Sequence, residues 1–151
     1  MKNAFIVPLL FLAGLLVLGI QGCASVDVDS GSRMPASSLT NTYWKLIRLA
    51  GKPITPEKAQ REAHLILQDK DQRLAGSGGC NRIMGSYQLD GSLLVFGKVA
   101  STMMACINMH DEQAFVATLE KTRRWRIDGK RLDLLDENGQ AHASFEAVAK
   151  P

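Results

Sequence analysis

Three glycine turns restrict the fold of this chain more than any other feature. Each is an Asp-Gly or Asn-Gly dipeptide beside short apolar runs: Asp90-Gly91, Asp128-Gly129 and Asn138-Gly139. Such dipeptides favour tight turns between antiparallel strands, because their backbones reach the left-handed region at low cost. The strand-like runs around these turns and earlier in the chain are 41–49, 64–68, 87–90, 92–96, 124–127, 132–135 and 141–148. The sequence therefore predicts an antiparallel sheet.

A single helix is predicted over residues 108–122. Asn108 can cap its first turn, where Asp111 and Glu112 suit the positive end of the helix dipole. Its inward stripe is predicted from four residues at helical spacing: Phe115, Thr118, Leu119 and Thr122. Strands, one helix and more strands indicate an α+β domain, in which the helix covers one face or end of a curled antiparallel sheet.

Residues 1–22 are predicted to be a bacterial lipoprotein signal peptide. Lys2 precedes an uncharged apolar run over residues 4–20, which is short for a membrane-spanning helix. The run ends in Ile20-Gln21-Gly22-Cys23, which resembles the lipobox, where cleavage occurs before a cysteine that carries lipid. We therefore expect lipidation of Cys23, and multiple acyl chains there would give stable membrane anchoring.

Two further segments follow the signal. Residues 23–39 hold the lipidated cysteine and a predicted flexible tether, rich in Ser, Gly and Asp. Residues 40–148 form one predicted compact domain. Ala24 and Ser25 follow the lipidated cysteine, and the absence of Asp at the first of these favours the periplasmic face of the outer membrane over retention in the inner membrane.

The charge balance bears on the class of partner. The formal net charge is +3, and removal of the signal with Lys2 lowers it, which is too little for a nucleic-acid-binding protein. Basic residues do gather around the second turn: Arg124, Arg126, Lys130 and Arg131. They form either a solvated hairpin face or a surface that contacts anionic lipid headgroups or an acidic partner.

Two cysteines remain after lipidation, Cys80 and Cys106. An even pair in an oxidising compartment favours a disulfide. Closing the loop between them would contribute roughly 3.5 kcal/mol on the chain-entropy estimate. Two alternatives stay open at this point: a soft-metal site suited to Cu(I), and a thiol nucleophile in which His110 activates Cys106. The metal alternative uses Met103, Cys106, Met109 and His110.

Two segments carry a family resemblance. Gly79-Cys80-Asn81, followed by Gly85 and Tyr87, and then Thr102-Met103-Met104-Ala105-Cys106, resemble the GCN-x-x-x-G-x-Y and T-x-M-x-C segments of the META domain family, which includes the heat-shock lipoprotein HslJ. The likeness covers about residues 40–148. It implies a small, strongly curved, open-barrel-like antiparallel sheet with one helix. It also implies a pairing of Cys80 with Cys106, an association with envelope stress responses, and neither a known enzymatic activity nor a cofactor.

The sequence thus predicts a membrane-anchored, non-enzymatic envelope lipoprotein whose domain binds another envelope component. The residues expected to set the geometry of its surface, rather than to perform chemistry, are Gly79, Asn81, Gly85, Tyr87, Thr102 and Met104. The alternative is a periplasmic copper-binding or thiol-redox protein centred on Cys80, Cys106 and His110.

Overall fold

The computed structural model describes residues 36–55, 61–106 and 109–151. Its strands are β1 (Tyr43–Leu49), β2 (Lys52–Pro53), β3 (His64–Gln68), β4 (Arg73–Ser77), β5 (Arg82–Asp90), β6 (Leu93–Phe96), β7 (Ala100–Ser101), β8 (Arg124–Asp128), β9 (Arg131–Leu135) and β10 (Ala141–Val148). The helix α1 spans His110–Lys121, and a short 3-10 turn covers Lys70–Gln72.

The strands form a ring that is not a regular barrel. Their order is β10-β9-β8-β6-β5-β4-β3-β1, and β1 closes the ring by pairing with β10. Every pairing between these strands is antiparallel, whereas the short β2 and β7 lie beside β1 and β5. The seam between β6 and β8 is the narrowest, with the single pair Leu93 and Arg124. The predicted α+β class, with a curved antiparallel sheet and one helix, is confirmed.

The three predicted turns lie where the sequence indicated. Gly91, Gly129 and Gly139 have φ values of 55°, 57° and 79°, in the left-handed region that favours glycine. The first joins β5 to β6, the second joins β8 to β9, and the third lies between β9 and β10. Local turn chemistry therefore determines these hairpins.

Helix α1 is slightly shorter than predicted. It begins at His110 after the cap residue Met109, whose side chain makes no capping hydrogen bond, while Asn108 lies outside the described residues. The predicted inward stripe is confirmed, because Phe115, Thr118, Leu119 and Thr122 are all buried. Glu112, predicted only as a favourable first-turn acid, is buried as well.

The core fills the inside of the ring. Trp44 and Leu46 point inward from β1, and a bulge between Leu46 and Arg48 then brings Leu49 rather than Arg48 inward. The indole Nε1–H of Trp44 donates to the carbonyl oxygen of Leu39 over 2.9 Å. Leu39, which the sequence assigned to the tether, is itself buried in the core.

The predicted signal and anchor lie outside the described residues. This holds for residues 1–22, for Cys23 and for the predicted tether up to residue 35. Within 36–55, 61–106 and 109–151, no helix combines the length and hydropathy needed to cross a bilayer.

Gly76 gives a test of how tightly the ring is packed. A Cβ at this position would overlap the carbonyl oxygen of His64 in the paired strand β3, so we expect Gly76→Ala to lower the free energy of unfolding by about 1–3 kcal/mol. The matched control is Gly97→Ala, whose Cβ would meet the rotatable Ser86 hydroxyl, and we expect its cost to stay within about 0.5 kcal/mol. Urea unfolding measures both. Equal midpoints for the two variants would contradict the packing.

Candidate functional site

Asn81, the last residue of the Gly79-Cys80-Asn81 segment, is fully buried, and both its amide oxygen and its amide nitrogen make hydrogen bonds. Its Oδ1 accepts the Thr102 hydroxyl over 2.9 Å and the Met104 backbone N–H over 2.7 Å. Its Nδ2 donates to the Met104 carbonyl oxygen over 3.4 Å and to Oε1 of Glu112 over 2.9 Å. One amide therefore holds the 102–104 segment and helix α1 at the same time. We call Asn81, Thr102, Met104 and Glu112 the Asn81 network.

Glu112 enters this network from the first turn of α1. Its second carboxylate oxygen, Oε2, accepts the backbone N–H of Asn81 over 2.7 Å. A buried carboxylate is costly unless hydrogen bonds satisfy it, and Asn81 supplies two donors here. Gly78 makes room for the carboxylate, because a Cβ there would overlap the Glu112 side chain.

A disulfide joins the same two segments. Cys80 is bonded to Cys106, with their Cα atoms 6.3 Å apart, which lies within the usual range for such bonds. The bond fastens the loop before β5 to the segment that precedes α1. The predicted pairing is therefore present in the structure.

The disulfide bears directly on the two alternatives. A bonded Cys106 sulfur is not a thiolate, so it provides neither a soft ligand for Cu(I) nor a nucleophile for His110 to activate. The side chains of Met103 and His110 are also 97% and 93% exposed. In the described part of the chain, no three His, Cys, Asp or Glu residues gather to hold a metal ion. With Cys106 in the disulfide, the copper hypothesis keeps only Met103, Met109 and His110, and the thiol hypothesis has no free nucleophile at Cys106.

The other motif residues shape the backbone. Gly79 has a φ of 110°, which L side chains rarely adopt. A Cβ on Gly85 would lie 2.9 Å from the Lys98 carbonyl oxygen, so this position needs a glycine for close approach. Tyr87 is buried and its hydroxyl donates to the Gln68 carbonyl oxygen over 3.0 Å. Burial, and then the nearby charge of Asp69, raise the pKa of this phenol.

The Asn81 network supports one wall of an open groove. The groove has a volume of about 570 Å³ and runs between the 101–105 segment and α1. Its apolar lining consists of Met103, Met104, Ala105, Met109, Val116 and Ala117. Methionine side chains are flexible and polarizable, so such a groove offers an adaptable apolar contact surface.

The predicted basic residues surround a buried acid that the sequence did not reveal. Asp133 of β9 accepts Nη2 of Arg126 over 2.8 Å, Nε of Arg131 over 2.9 Å and the Ser144 hydroxyl over 2.7 Å. Burial raises the pKa of the Asp133 carboxyl, but the hydrogen bonds from these three partners outweigh it and hold the pKa below its ordinary value. Arg124 and Lys130 are exposed. Two of the four predicted cations are thus fixed in place by one carboxylate.

Sequence reasoning missed Glu112 and Asp133 as site residues. A signal for Glu112 does exist, because it lies three residues before Phe115 and seven before Leu119, on the apolar stripe of α1. Asp133 offers no such signal, because Leu132-Asp133-Leu134 is the ordinary alternation of a half-buried strand, which places Asp133 on the outward face. An acid inside the apolar stripe of a helix predicts a buried partner, although it does not identify that partner.

Comparisons with known proteins agree with this architecture. A sequence model of the META domain matches residues 37–149. The NMR structure of a protein from Burkholderia xenovorans is 28% identical, with a TM-score of 0.59 over 74% of this chain and 85% of that one. The crystal structure of a DUF4847 family protein from Bacteroides vulgatus, at 15% identity, shares the fold, with a TM-score of 0.52 over 75% of this chain and 96% of that one. No curated protein matches the sequence.

Moving the carboxylate from one side chain to the other by substitution tests the contact between Asn81 and Glu112. Asn81→Asp puts a second carboxylate against the first, so we expect the free energy of unfolding to fall by about 2–4 kcal/mol. Adding Glu112→Gln restores a donor between the two side chains, and we expect the double variant to regain at least half of the loss. Denaturant unfolding of the four proteins gives the coupling energy. Additive losses would contradict a direct contact.

Asp133 and its partners Arg126, Arg131 and Ser144, which we call the Asp133 cluster, make the free energy of unfolding depend on pH. Because its folded pKa lies below the ordinary value of 3.8, the carboxylate stabilises the fold at neutral pH, and this contribution is lost as the pH falls below that value. We expect Asp133→Asn to lower neutral stability by about 1–2 kcal/mol and to flatten the acid limb of a stability–pH profile. Asp128→Asn, at an exposed acid in the same hairpin, is the control. Parallel profiles for both variants and the wild type would contradict this role.

Proposed function

Because the chain belongs to the META domain family, we propose that it is a non-enzymatic lipoprotein of the bacterial envelope whose domain binds another envelope component. In this proposal, acyl chains on Cys23 anchor it at the periplasmic face of the outer membrane. The domain presents a rigid sheet-and-helix surface there, in envelope maintenance or stress response.

One observation carries the proposal: the polar groups of the family motif bond to each other. The Asn81 amide and the Glu112 carboxylate are occupied by partners inside the protein, and Cys80 and Cys106 are bonded together. A catalytic group has to reach a substrate with a free acid, base or nucleophile. Side chains whose polar groups are all bonded within the protein instead stabilise the shape of a surface, which supports a role in binding.

Two features support the envelope as the location. The apolar run over residues 4–20 ends directly before Gln21-Gly22-Cys23. Cys80 and Cys106 form a disulfide, and disulfides persist in oxidising compartments such as the bacterial periplasm. Both features agree with export followed by lipidation.

Intact mass spectrometry of the membrane-extracted protein tests the anchor. The protein is denatured without reductant and then treated with an alkylating agent. We expect a chain that begins at Cys23, carries acyl chains and takes up no alkyl label. An unprocessed or unacylated chain would refute the anchor. Two alkyl labels would mean free thiols, which would favour the thiol or metal alternative over the binding module.

Cross-linking in intact cells tests the binding role. A photo-reactive residue replaces Met103 in the groove, with Asn138 in the β9–β10 turn as the matched exposed control. A discrete adduct at the groove position, lost when Asn81→Asp loosens the motif, would support a shape-dependent binding surface. Adducts that are equally abundant at both positions, or unaffected by Asn81→Asp, would contradict it.

A further inference from the structure

The outward face of the β8–β9 hairpin carries a compact group of charges. Register pairs Arg126 with Asp133 and Asp128 with Arg131, so that these side chains alternate across the two strands. Arg124 lies two residues before Arg126 on the same face, and Lys130 stands in the turn. We call Arg124, Arg126, Lys130 and Arg131 the hairpin cations.

Asp133 fixes two of these cations without covering them. It bonds to Nη2 of Arg126 and Nε of Arg131, and Arg131 also donates from Nη2 to the Ser144 hydroxyl. Both arginine side chains remain largely accessible, at 63% and 51% exposure. Each planar guanidinium has five N–H donors, so several donors are left to point away from the sheet. Two preorganised guanidinium groups can therefore bind phosphate oxygens with little further ordering.

The acids of this face equal the hairpin cations in number. Asp133 neutralises one arginine, Asp128 lies opposite Arg131, the exposed Glu146 lies opposite Arg131 on the neighbouring strand β10, and the exposed Asp90 lies opposite Leu93. The cations available to a phosphate are therefore those that no acid of the face holds in an ion pair. Arg124 and Lys130 make no ion pair among the described residues.

The chain enters the domain beside this hairpin. The backbone N–H of Ser37 donates to the carbonyl oxygen of Gly129, in the β8–β9 turn, over 2.9 Å. Cys23 lies fourteen residues earlier in the sequence. A chain of that length spans at most about 50 Å when fully extended, so an anchor at Cys23 leaves the hairpin within reach of the bilayer.

Exposed apolar side chains border the cations. Leu93 of β6 is paired with Arg124 and is 47% exposed, and Val95 on the same face is 38% exposed. Cations beside apolar side chains fit the boundary between phosphate headgroups and acyl chains. An acidic protein partner would satisfy the cations alone and would not explain why the anchored chain enters at this hairpin.

We propose that the outward face of the β8–β9 hairpin docks on an anionic phospholipid surface, with the hairpin cations on the phosphates and Leu93 and Val95 at the headgroup boundary. This inference rests on the proposed function, because the lipid on Cys23 supplies the nearby bilayer. Docking fixes one side of the domain to the membrane. The opposite side of the ring, formed by β3 and β4, then faces away from the membrane.

The experiment uses the lipidated full-length protein in vesicles. A polarity-sensitive fluorophore is attached through Val95→Cys on the proposed docking face, or through Gln68→Cys on β3 as the control. The vesicles contain phosphatidylcholine alone, or with about a third phosphatidylglycerol and a quencher on the headgroups. We expect a blue shift and quenching at position 95 in anionic vesicles only, no change at position 68, and weakening in high salt. Protein without an added cysteine gives the labelling blank.

Charge removal identifies the contact. Arg124→Gln with Lys130→Gln leaves the Asp133 cluster intact and removes two cations, which lowers the ratio of docked to undocked domain by roughly 30-fold at about a fivefold change per cation. Lys70→Gln with Arg73→Gln removes the same charge from the far side of the ring, and we expect little change.

Three results would overturn the inference. The first is equal signals at positions 95 and 68, and the second is an equal loss in both charge-removal pairs. The third is no headgroup contact in any vesicle while the protein stays vesicle-bound, which would assign the cations to an acidic protein. These outcomes differ from failure of the proposed function, in which the protein does not remain on vesicles through Cys23 at all.

Discussion

The hydrogen bonds between Asn81 and Glu112 are the constraint on which the rest of the domain depends. Together with the hydrogen bond from the Met104 N–H to Asn81, they unite three separate pieces of chain: the loop before β5, the 102–104 segment and the first turn of α1. A carboxylate buried without these donors would destabilise the fold by several kcal/mol on the usual scale for unpaired charges. The helix can therefore occupy its place against the sheet only when the loop presents the backbone and side-chain N–H groups of Asn81 together.

The disulfide adds a covalent connection between the loop before β5 and the segment that precedes α1. Cys80 precedes Asn81 directly, and Cys106 follows Met104 by two residues, so both bonds join the same loop to the same segment. The covalent bond limits how far the two pieces separate, while the amide sets their orientation. Together they hold the wall of the methionine-lined groove, which an exposed segment such as 102–105 would not maintain alone. The hairpin cations are held by a different device, since Asp133 orients Arg126 and Arg131 within the sheet.

Local chemistry made much of this fold predictable. The Asp-Gly and Asn-Gly turns and the buried stripe of α1 depend on neighbouring residues, so a single sequence reveals them. The roles of Glu112 and Asp133 depend on partners brought close by folding: Asn81 lies 31 residues from Glu112, and Ser144 lies 11 residues from Asp133. A first-turn acid also suits the helix dipole, which offered a sufficient local reason for Glu112 and concealed its buried role. Closure of the ring by β1 and β10 was unpredictable for the same reason, because no local pattern records a pairing across the whole domain.

That closure has a topological consequence. Tyr43, at the start of β1, lies opposite Val148, at the end of β10, so the two ends of the domain emerge side by side. A short linker between them would leave every strand pairing in place, and the ring could be reopened at the exposed turn around Asn138 as a circular permutant. For the same reason, a second module fused after Pro151 would be attached beside the segment of chain that leads into β1. In this ring, the order of strands in space is independent of where the polypeptide begins.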